Sequence, residues 1–260
     1  MRVGIGLPTM LAGAEPSLVL EWARRADSGG LSTLSTGELL TTASYDALVA
    51  LSAVAAVTER ARLMTNVLVV PLHNAGLLAK QAATLDKISA GRLTIGIGVG
   101  GRKPILFELT SDPLAHANYP DFAAAPASYE GRADRCDEQV AYMRQIWRGE
   151  PPMEGVPPIG PLPVRAGGPE LLCGSFAPAA MRRAARWADG VTNFDLSIFR
   201  QFPFSEGKFV ELRAEFFNAF NTPVFGTPDS NLSSTRFGIV SGTLSTIPER
   251  QIQFGLKIVF

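Results

Sequence analysis

The sequence predicts an α/β fold, with a parallel sheet of five or six strands covered by helices and a β-rich tail. Through residues 1–191, nearly continuous apolar runs alternate with amphipathic stretches at helical spacing. This alternation is typical of a parallel sheet whose two faces are buried. From residue 192 onward, apolar and polar residues alternate one by one, which is typical of strands with one buried face. We therefore place a domain boundary between residues 191 and 192.

The predicted elements of residues 1–191 follow in order. The apolar run Val3–Leu7, ended by Pro8, predicts a buried first strand. A helix then begins near Pro16, whose missing N–H costs nothing in a first turn, and ends at Gly29. The same signals predict further strands over Leu31–Ser35, Arg62–Pro71, Arg92–Val99 and Glu170–Cys173, a sixth strand beginning at Gly190, and helices over Ala47–Val57, Asn74–Ile88, Tyr129–Arg148 and Ala179–Ala188.

Two segments depart from this alternation. Residues 103–128 are rich in Pro and Ala and are predicted to form a long loop over the mouth of the sheet. The tail predicts alternating strands over Asn193–Phe199, Phe209–Phe216 and Gln251–Phe260. Segments of this kind fit a lipid-facing barrel strand and equally a half-buried strand of a soluble sheet. The alternation by itself leaves both interpretations open.

Composition narrows the function classes. The hydrophobic content of 46% and charged content of 18% suit a globular protein, and 24 basic residues balance 24 acidic ones. This balance gives no case for binding nucleic acid or an anionic membrane. Cys136 and Cys173 are far apart in sequence and are predicted to be buried free thiols rather than metal ligands or a disulfide. No signal peptide and no apolar run of about 20 residues is evident, so we expect a cytoplasmic location.

Six segments of the first 191 residues resemble one family, in family order. They are Val3–Thr9, Glu21–Gly30, Ala47–Leu63, Pro71–Arg102, Gly131–Pro151 and Ile159–Gly190. Together they resemble the luciferase-like monooxygenases, in the branch that uses FMN or the deazaflavin coenzyme of the F-420 type. The resemblance implies an incomplete TIM barrel, an oxidoreductase activity on a small molecule, and a site at the carboxyl ends of the strands. It leaves the choice of cofactor and the formation of a homo-oligomer open.

The tail resembles a second, unrelated family. Its segments Asn193–Phe204, Glu211–Ser234, Phe237–Gly242 and Glu249–Phe260 are similar to the C-terminal end of TonB-dependent outer-membrane receptors. We expect this tail to replace strands six to eight of the barrel. The sequence therefore leaves three hypotheses: a luciferase-like oxidoreductase whose activity is uncertain, a fragment of an outer-membrane transporter, and a fusion product without evolved function.

The resemblance implies cofactor contacts at the predicted strand ends. Gly98 and Gly100 have no Cβ, so their backbone can approach a flat ring, although a close contact within the protein is the alternative. Asn66–Val67 matches the position where many family members carry a non-prolyl cis peptide bond behind the flavin. The predicted cofactor-binding residues are Thr9, Asn66, Val67, Gly98, Gly100, Arg102, Gly174 and Ser175.

Three of these residues point to the cofactor phosphate. Gly174 and Ser175 precede a helix start, where backbone N–H groups bind anions, although Ser175 equally suits a helix cap. Arg102 has the planar donors for a phosphate or a carboxylate.

Two titratable residues are predicted to act in catalysis. Glu38 follows the second strand and could orient the substrate or act as a base, with a solvated loop carboxylate as the alternative. His73 follows the third strand, and its imidazole titrates near neutral pH, although a surface histidine is the alternative. No metal site is predicted.

Overall fold

The computed structural model of the chain describes residues 4–11, 13–101, 119–174, 178–191, 196–205, 208–217 and 251–259. Two compact units divide the chain at Gly190. Arg102 and Ser175, both predicted to bind the cofactor, lie outside the described residues, as does Phe260.

The first unit is built on a sheet whose strand order follows the chain, β1 to β6, and whose first five strands pair in parallel. This confirms the predicted α/β class and the incomplete barrel. The strands are β1 Gly4–Gly6, β2 Thr33–Thr36, β3 Arg62–Val69, β4 Leu93–Gly98, β5 Glu170–Cys173 and β6 Gly190–Val191; the helices are α1 Pro16–Ser28, α2 Ala47–Ala55, α3 Ala75–Ile88, α4 Tyr119–Ala124, α5 Arg132–Trp147 and α6 Pro178–Trp187, with 3-10 turns at Pro8–Met10 and Val70–Leu72.

Local chemistry explains where the helices begin. Pro16 occupies the first turn of α1. The Asp46 carboxylate accepts a hydrogen bond from the Val49 N–H at 2.8 Å and caps α2, and Asn74 caps α3 through the Leu77 N–H at 3.0 Å. Each cap satisfies an N–H that the helix itself leaves unpaired.

The core lies between the sheet and the helices. Alternate strand residues are apolar and buried, among them Ile5, Leu34, Leu63, Ile95 and Leu171. In β1 and β2 the residues between them are smaller or polar and more exposed, because successive side chains of a strand point to opposite faces of the sheet.

One prediction for this unit is wrong in part. Residues 103–128 were expected to form a loop, but α4 occupies six of them. Its Asp121 accepts hydrogen bonds from the Thr41 N–H and hydroxyl at 2.9 and 2.6 Å, and Phe122 is buried. Contacts with a residue 80 positions away thus stabilise a helix whose local sequence gives no helical period. Residues 102–118 lie outside the described part of the chain.

The second unit is described as three antiparallel strands, β7 Leu196–Ser205, β8 Lys208–Phe217 and β9 Gln251–Val259, in that order. β8 pairs with both neighbours, for example Leu196 with Phe216 and Phe209 with Val259. Each strand overlaps a predicted one, and β7 continues to Ser205, beyond the predicted end at Phe199.

Both cysteines are free and buried, as predicted. Burial raises the pKa of the Cys136 thiol to about 12. Among the helices that the structure describes, none is long and apolar enough to cross a membrane.

Candidate functional site

The loops after β1 and β2 are joined at the carboxyl ends of the strands. The Tyr45 N–H donates to the Thr9 carbonyl oxygen at 3.0 Å, and the Tyr45 hydroxyl donates to the Ala14 carbonyl oxygen at 2.5 Å. The Thr41 N–H, in the loop after β2, donates to the Asp121 carboxylate of α4. The loop after β2 therefore contacts both the loop after β1 and helix α4. These loops surround the edge at which barrel enzymes place their chemistry.

Glu38 and His73 form an ion pair at this edge. The His73 Nε2 atom lies 2.7 Å from the Glu38 Oε1 atom. The second carboxylate oxygen of Glu38 accepts a hydrogen bond from the Val69 N–H at 2.7 Å. The side chains are 11% and 23% exposed for Glu38 and His73, so the pair is shielded yet within reach of a ligand. The structure thus brings the two predicted catalytic residues together.

The pair changes the proton affinity of His73. Burial is the largest single influence and opposes the charged imidazolium, but the Glu38 hydrogen bond and the charges of Glu38 and Asp46 outweigh it. The pKa of His73 is therefore raised above its ordinary value of 6.5. The raised pKa favours the protonated imidazolium, which can serve as a proton donor.

The Asn66–Val67 segment interrupts the pairing of β3 with β4. The register shifts between Thr65 and Leu68, and the peptide bond between Asn66 and Val67 is cis, as the resemblance implied. Asn66 is exposed and Val67 is half-buried. Gly96 lies against the Thr65 carbonyl oxygen, so closely that a Cβ at Gly96 would overlap it.

The side chain of Val67 fills the space beside two predicted cofactor-binding glycines. A Cβ at Gly98 would lie 2.6 Å from the Val67 Cγ2 atom, and a Cβ at Gly174 would overlap the Val67 Cγ1 atom. The absence of side chains at Gly98 and Gly174 therefore accommodates Val67, and for Gly98 this matches the predicted alternative of a close contact within the protein. Whether their backbone also contacts a cofactor stays a prediction.

Thr9 and Gly100 have partners within the protein. Thr9 is fully buried, and its hydroxyl lies 2.5 Å from the Thr36 hydroxyl. Gly100 has a φ of 74°, which favours glycine, and its carbonyl oxygen accepts a hydrogen bond from Arg132 Nε at 3.0 Å. The cofactor contacts proposed for Thr9 and Gly100 stay predictions.

Sequence reasoning missed two side chains of this site, both on α5. Arg132 contacts Gly100, 32 positions away, and the Gln139 Nε2 atom donates to the His73 carbonyl oxygen at 2.6 Å, 66 positions away. No local pattern marks either residue, because both contacts join distant parts of the chain.

Comparison with known families gives two matches. Residues 1–198 match the family described as Luciferase-like monooxygenase, and residues 166–253 match the one described as Outer membrane beta barrel domain. Among curated proteins, 4-hydroxyprotoasukamycin monooxygenase of Streptomyces nodosus subsp. asukaensis is 32% identical over 92 residues, which are 35% of this chain and 22% of that protein.

Solved structures resemble the chain over about three quarters of its length. Monooxygenase RslO1 from Streptomyces bottropensis aligns with a TM-score of 0.57 and 27% identity, over 72% of this chain and 57% of that one. The oxygenating constituent of 3,6-diketocamphane monooxygenase from Pseudomonas putida, in complex with FMN, gives 0.55 and 20%, over 75% and 57%. The coenzyme F420 dependent tetrahydromethanopterin reductase from Methanopyrus kandleri gives 0.52 and 24%, over 73% and 55%. The chain thus spans little more than half the length of these structures.

Proposed function

The chain belongs to the luciferase-like monooxygenase family, and we propose that it binds FMN or the deazaflavin coenzyme and acts as an oxidoreductase on a small molecule. The observation that carries the proposal is the Glu38–His73 pair, with 2.7 Å between Oε1 and Nε2, at the carboxyl ends of the strands. Structures of the same fold include one in complex with FMN and one described as coenzyme F420 dependent, which supports both cofactor candidates.

Exposed residues of β1 and β3 support the binding of a flat cofactor. Nothing lies within 4 Å of the position that a Cβ would take at Gly6, and both Gly6 and Asn66 are exposed. Val67 covers Gly98 and Gly174 and presents a small apolar surface beside them. We propose that Asn66, Val67 and Gly100 contact the ring system, and that Gly174, with Ser175 and Arg102, binds the phosphate. When bound, the cofactor supplies the hydride or oxygen chemistry.

Within this proposal His73 holds the proton and Glu38 orients it. Both oxygens of Glu38 are already engaged, by the Val69 N–H and by the imidazole. Glu38 therefore suits an orienting role better than that of a direct base. The imidazole Nδ1 atom, opposite the Glu38 contact, is then the atom from which a proton can pass to a substrate.

A fluorescence titration of the full chain with FMN and, separately, with the deazaflavin coenzyme tests the proposal. We expect saturable binding of one of them, and the cofactor bound would then be identified. The matched control is Glu138→Gln, since Glu138 is exposed on α5, and it should leave the Kd unchanged. Binding of neither cofactor by a folded chain would contradict the proposal.

For residues 192–260 we propose descent from the last strands of an outer-membrane barrel of the TonB-dependent receptor type. The match over residues 166–253 and three antiparallel strands of 9 or 10 residues support it, since such strands span a membrane with about 9–11 residues. Cell fractionation tests this second function against the first. Recovery of the chain in the soluble fraction, with bound cofactor, would contradict a membrane role.

A fusion product without evolved function is the third hypothesis. Reading the genomic DNA across codons 185–200 tests it, because a discontinuity there would identify a join made by rearrangement or assembly. A cytoplasmic location, a small-molecule substrate and the domain boundary at residue 191 remain part of the proposal.

A further inference from the structure

Helix α5 sends two side chains to the backbone at the carboxyl ends of the strands. The Arg132 Nε atom donates to the carbonyl oxygen of Gly100, just after β4, at 3.0 Å. The Gln139 Nε2 atom donates to the carbonyl oxygen of His73, after β3, at 2.6 Å. Each acceptor belongs to a residue predicted for the site from the sequence. Helix α5 therefore contacts the backbone that follows two neighbouring strands, β3 and β4.

Arg132 and Gln139 lie on one face of α5. Arg132 and Gln139 are seven residues apart, close to two full turns, so both project from the same side of α5. On the same stretch of helix, Asp134 and Glu138 are exposed and lie on other faces. The two contacts are thus set together by the position of α5.

Arg132 is itself held in place by an aromatic side chain. Its guanidinium carbon lies 3.8 Å from the centre of the Tyr129 ring, and its Nη1 atom donates to the Tyr129 carbonyl oxygen at 3.4 Å. The Tyr129 ring in turn meets Phe122 of α4 edge to face, with 5.2 Å between ring centres. The attraction between the guanidinium and the Tyr129 ring stabilises the position from which Arg132 donates to the Gly100 carbonyl oxygen.

The contacts of Gln139 also define the orientation of its side-chain amide. Its amide nitrogen must face His73, because the opposite assignment would put two oxygens 2.6 Å apart. Its Oε1 atom is buried, and it has no hydrogen-bond partner among the described residues. Leaving a buried acceptor unpaired is costly, so hydrophobic packing alone would favour an apolar side chain at this position. Gln139 instead supplies the donor that holds the His73 backbone.

We propose that Arg132 and Gln139 are positioning residues of the candidate site: Gln139 holds His73 against Glu38, and Arg132 holds the Gly100 turn where the cofactor binds. The Arg132 half rests on the proposed cofactor binding, whereas the Gln139 half concerns the His73–Glu38 geometry and stands without it.

The Gln139 half is tested by NMR titration of the imidazoles in the full chain. The sequence contains only two histidines, His73 and His116, so a His116→Gln variant assigns both signals. Gln139→Met removes the donor at similar size, and we expect the pKa of His73 to fall by about 0.5, because the Glu38 hydrogen bond is weakened. Gln139→Asn, too short to reach the carbonyl oxygen, should act alike and serves if the first variant folds poorly. Glu138→Gln is the control and should leave the pKa of His73 unchanged.

The Arg132 half is tested by hydrogen exchange and by cofactor titration. We expect faster amide exchange at Val99–Gly101 in cofactor-free Arg132→Met, and a Kd for the cofactor weakened on the order of tenfold. Arg132→Lys keeps the charge without the planar donors, so we expect the same loss. The control is Arg182→Met, since Arg182 is exposed on α6.

The outcomes separate this inference from the proposed function. An unchanged pKa of His73 in both Gln139 variants would overturn the Gln139 half. Unchanged exchange at Val99–Gly101, or a Kd fully restored by Arg132→Lys, would overturn the Arg132 half. Failure of the unsubstituted chain to bind either cofactor would contradict the proposed function, and with it the link between the Gly100 turn and cofactor binding. It would leave the Gln139 half standing, because the pKa of His73 is measured without cofactor.

Discussion

The two ends of the parallel sheet use charged residues differently. At the amino ends of the strands, Arg92 donates five hydrogen bonds, four of them to backbone carbonyl oxygens of Ser89, Ala61, Ala55 and Thr58. Asp27 accepts three backbone N–H groups there, from Glu59, Arg60 and Ala61. At the carboxyl ends, Glu38 instead binds the His73 imidazole and raises its pKa.

This difference separates stability from chemistry. A guanidinium that satisfies four carbonyl oxygens holds the loops between helices and strands, and it never changes protonation in a protein. The Glu38–His73 pair does less for the backbone but contains a proton that can be transferred. Barrel enzymes show the same division, with function at the carboxyl ends and stability at the other. Substitutions at the two ends should therefore differ in what they change.

The largest expected effect is at the amino end. Arg92→Met should lower the free energy of unfolding by about 3 kcal/mol, because several partly buried carbonyl oxygens lose a charged donor. Urea denaturation measures the loss, and exposed Arg182→Met serves as the control. Cofactor affinity of the folded variant should be unchanged. A weakened affinity would break the separation between the two ends.

Gly98→Ala should change both properties, because Gly98 lies where core and site meet. The new Cβ would lie 2.6 Å from the Val67 Cγ2 atom, so Val67 must move, at about 2 kcal/mol of unfolding free energy. We expect a weaker Kd for the cofactor as well. Gly6→Ala is the matched control for stability, since nothing lies within 4 Å of its added Cβ. Equal stability of the two variants in urea would show that Val67 is not confined by Gly98.

Asp27→Asn should lower the free energy of unfolding by about 1 kcal/mol through weaker acceptance of the three N–H groups. Burial opposes ionisation of Asp27, but the N–H groups of Glu59, Ala61 and Arg60 and the Arg60 charge lower its pKa below 3.8. The resulting stability is present above the pKa of the unfolded chain and is lost as the pH falls through the folded pKa.

Denaturation curves between pH 5 and about pH 2 check this effect. The pH dependence of the Asp27→Asn variant should be shallower than that of the unsubstituted chain. Identical slopes would mean that Asp27 ionises equally in the folded and unfolded chains.

The smallest effect on stability is expected at the carboxyl end. Glu38→Gln should lower the free energy of unfolding by less than about 1 kcal/mol, because the amide oxygen of Gln can still accept the Val69 N–H. The pKa of His73 should fall below 6.5, because burial still lowers it while the Glu38 charge is lost. In the unsubstituted chain the raised pKa gives stability that is fully present below the unfolded pKa and is lost as the pH rises through the folded pKa.

NMR titration of His73 checks the sign of this change. Because the folded pKa of His73 would then lie below its unfolded value, the Glu38→Gln variant should gain stability as the pH rises through this range, whereas the unsubstituted chain loses it. A large loss of stability with an unchanged pKa would assign Glu38 to the structural side of the comparison.

Local signals predicted most of the first unit. The strand Glu170–Cys173 coincides with its prediction, and α1 begins at the predicted Pro16, since apolar period and proline geometry act over a few residues. The β2 strand was predicted two residues early, at Leu31, because its alternation is short. Helix α4 was missed, since the Thr41–Asp121 contact and the burial of Phe122 are tertiary.

The candidate site was likewise predicted only in part from the sequence. Sequence order and family resemblance placed Glu38, His73 and Asn66–Val67 at the carboxyl ends of β2 and β3, because residues that follow parallel strands share one edge of the sheet. They did not determine that Glu38 binds His73, or that Val67 fills the space beside Gly98 and Gly174. Nor did they indicate that Arg132 and Gln139 of α5 hold the strand ends. Each of these contacts joins residues about 30 or more positions apart in the sequence. Such contacts form only when the strands pair and the helices pack on the sheet. The local periodicity of the sequence does not encode that packing.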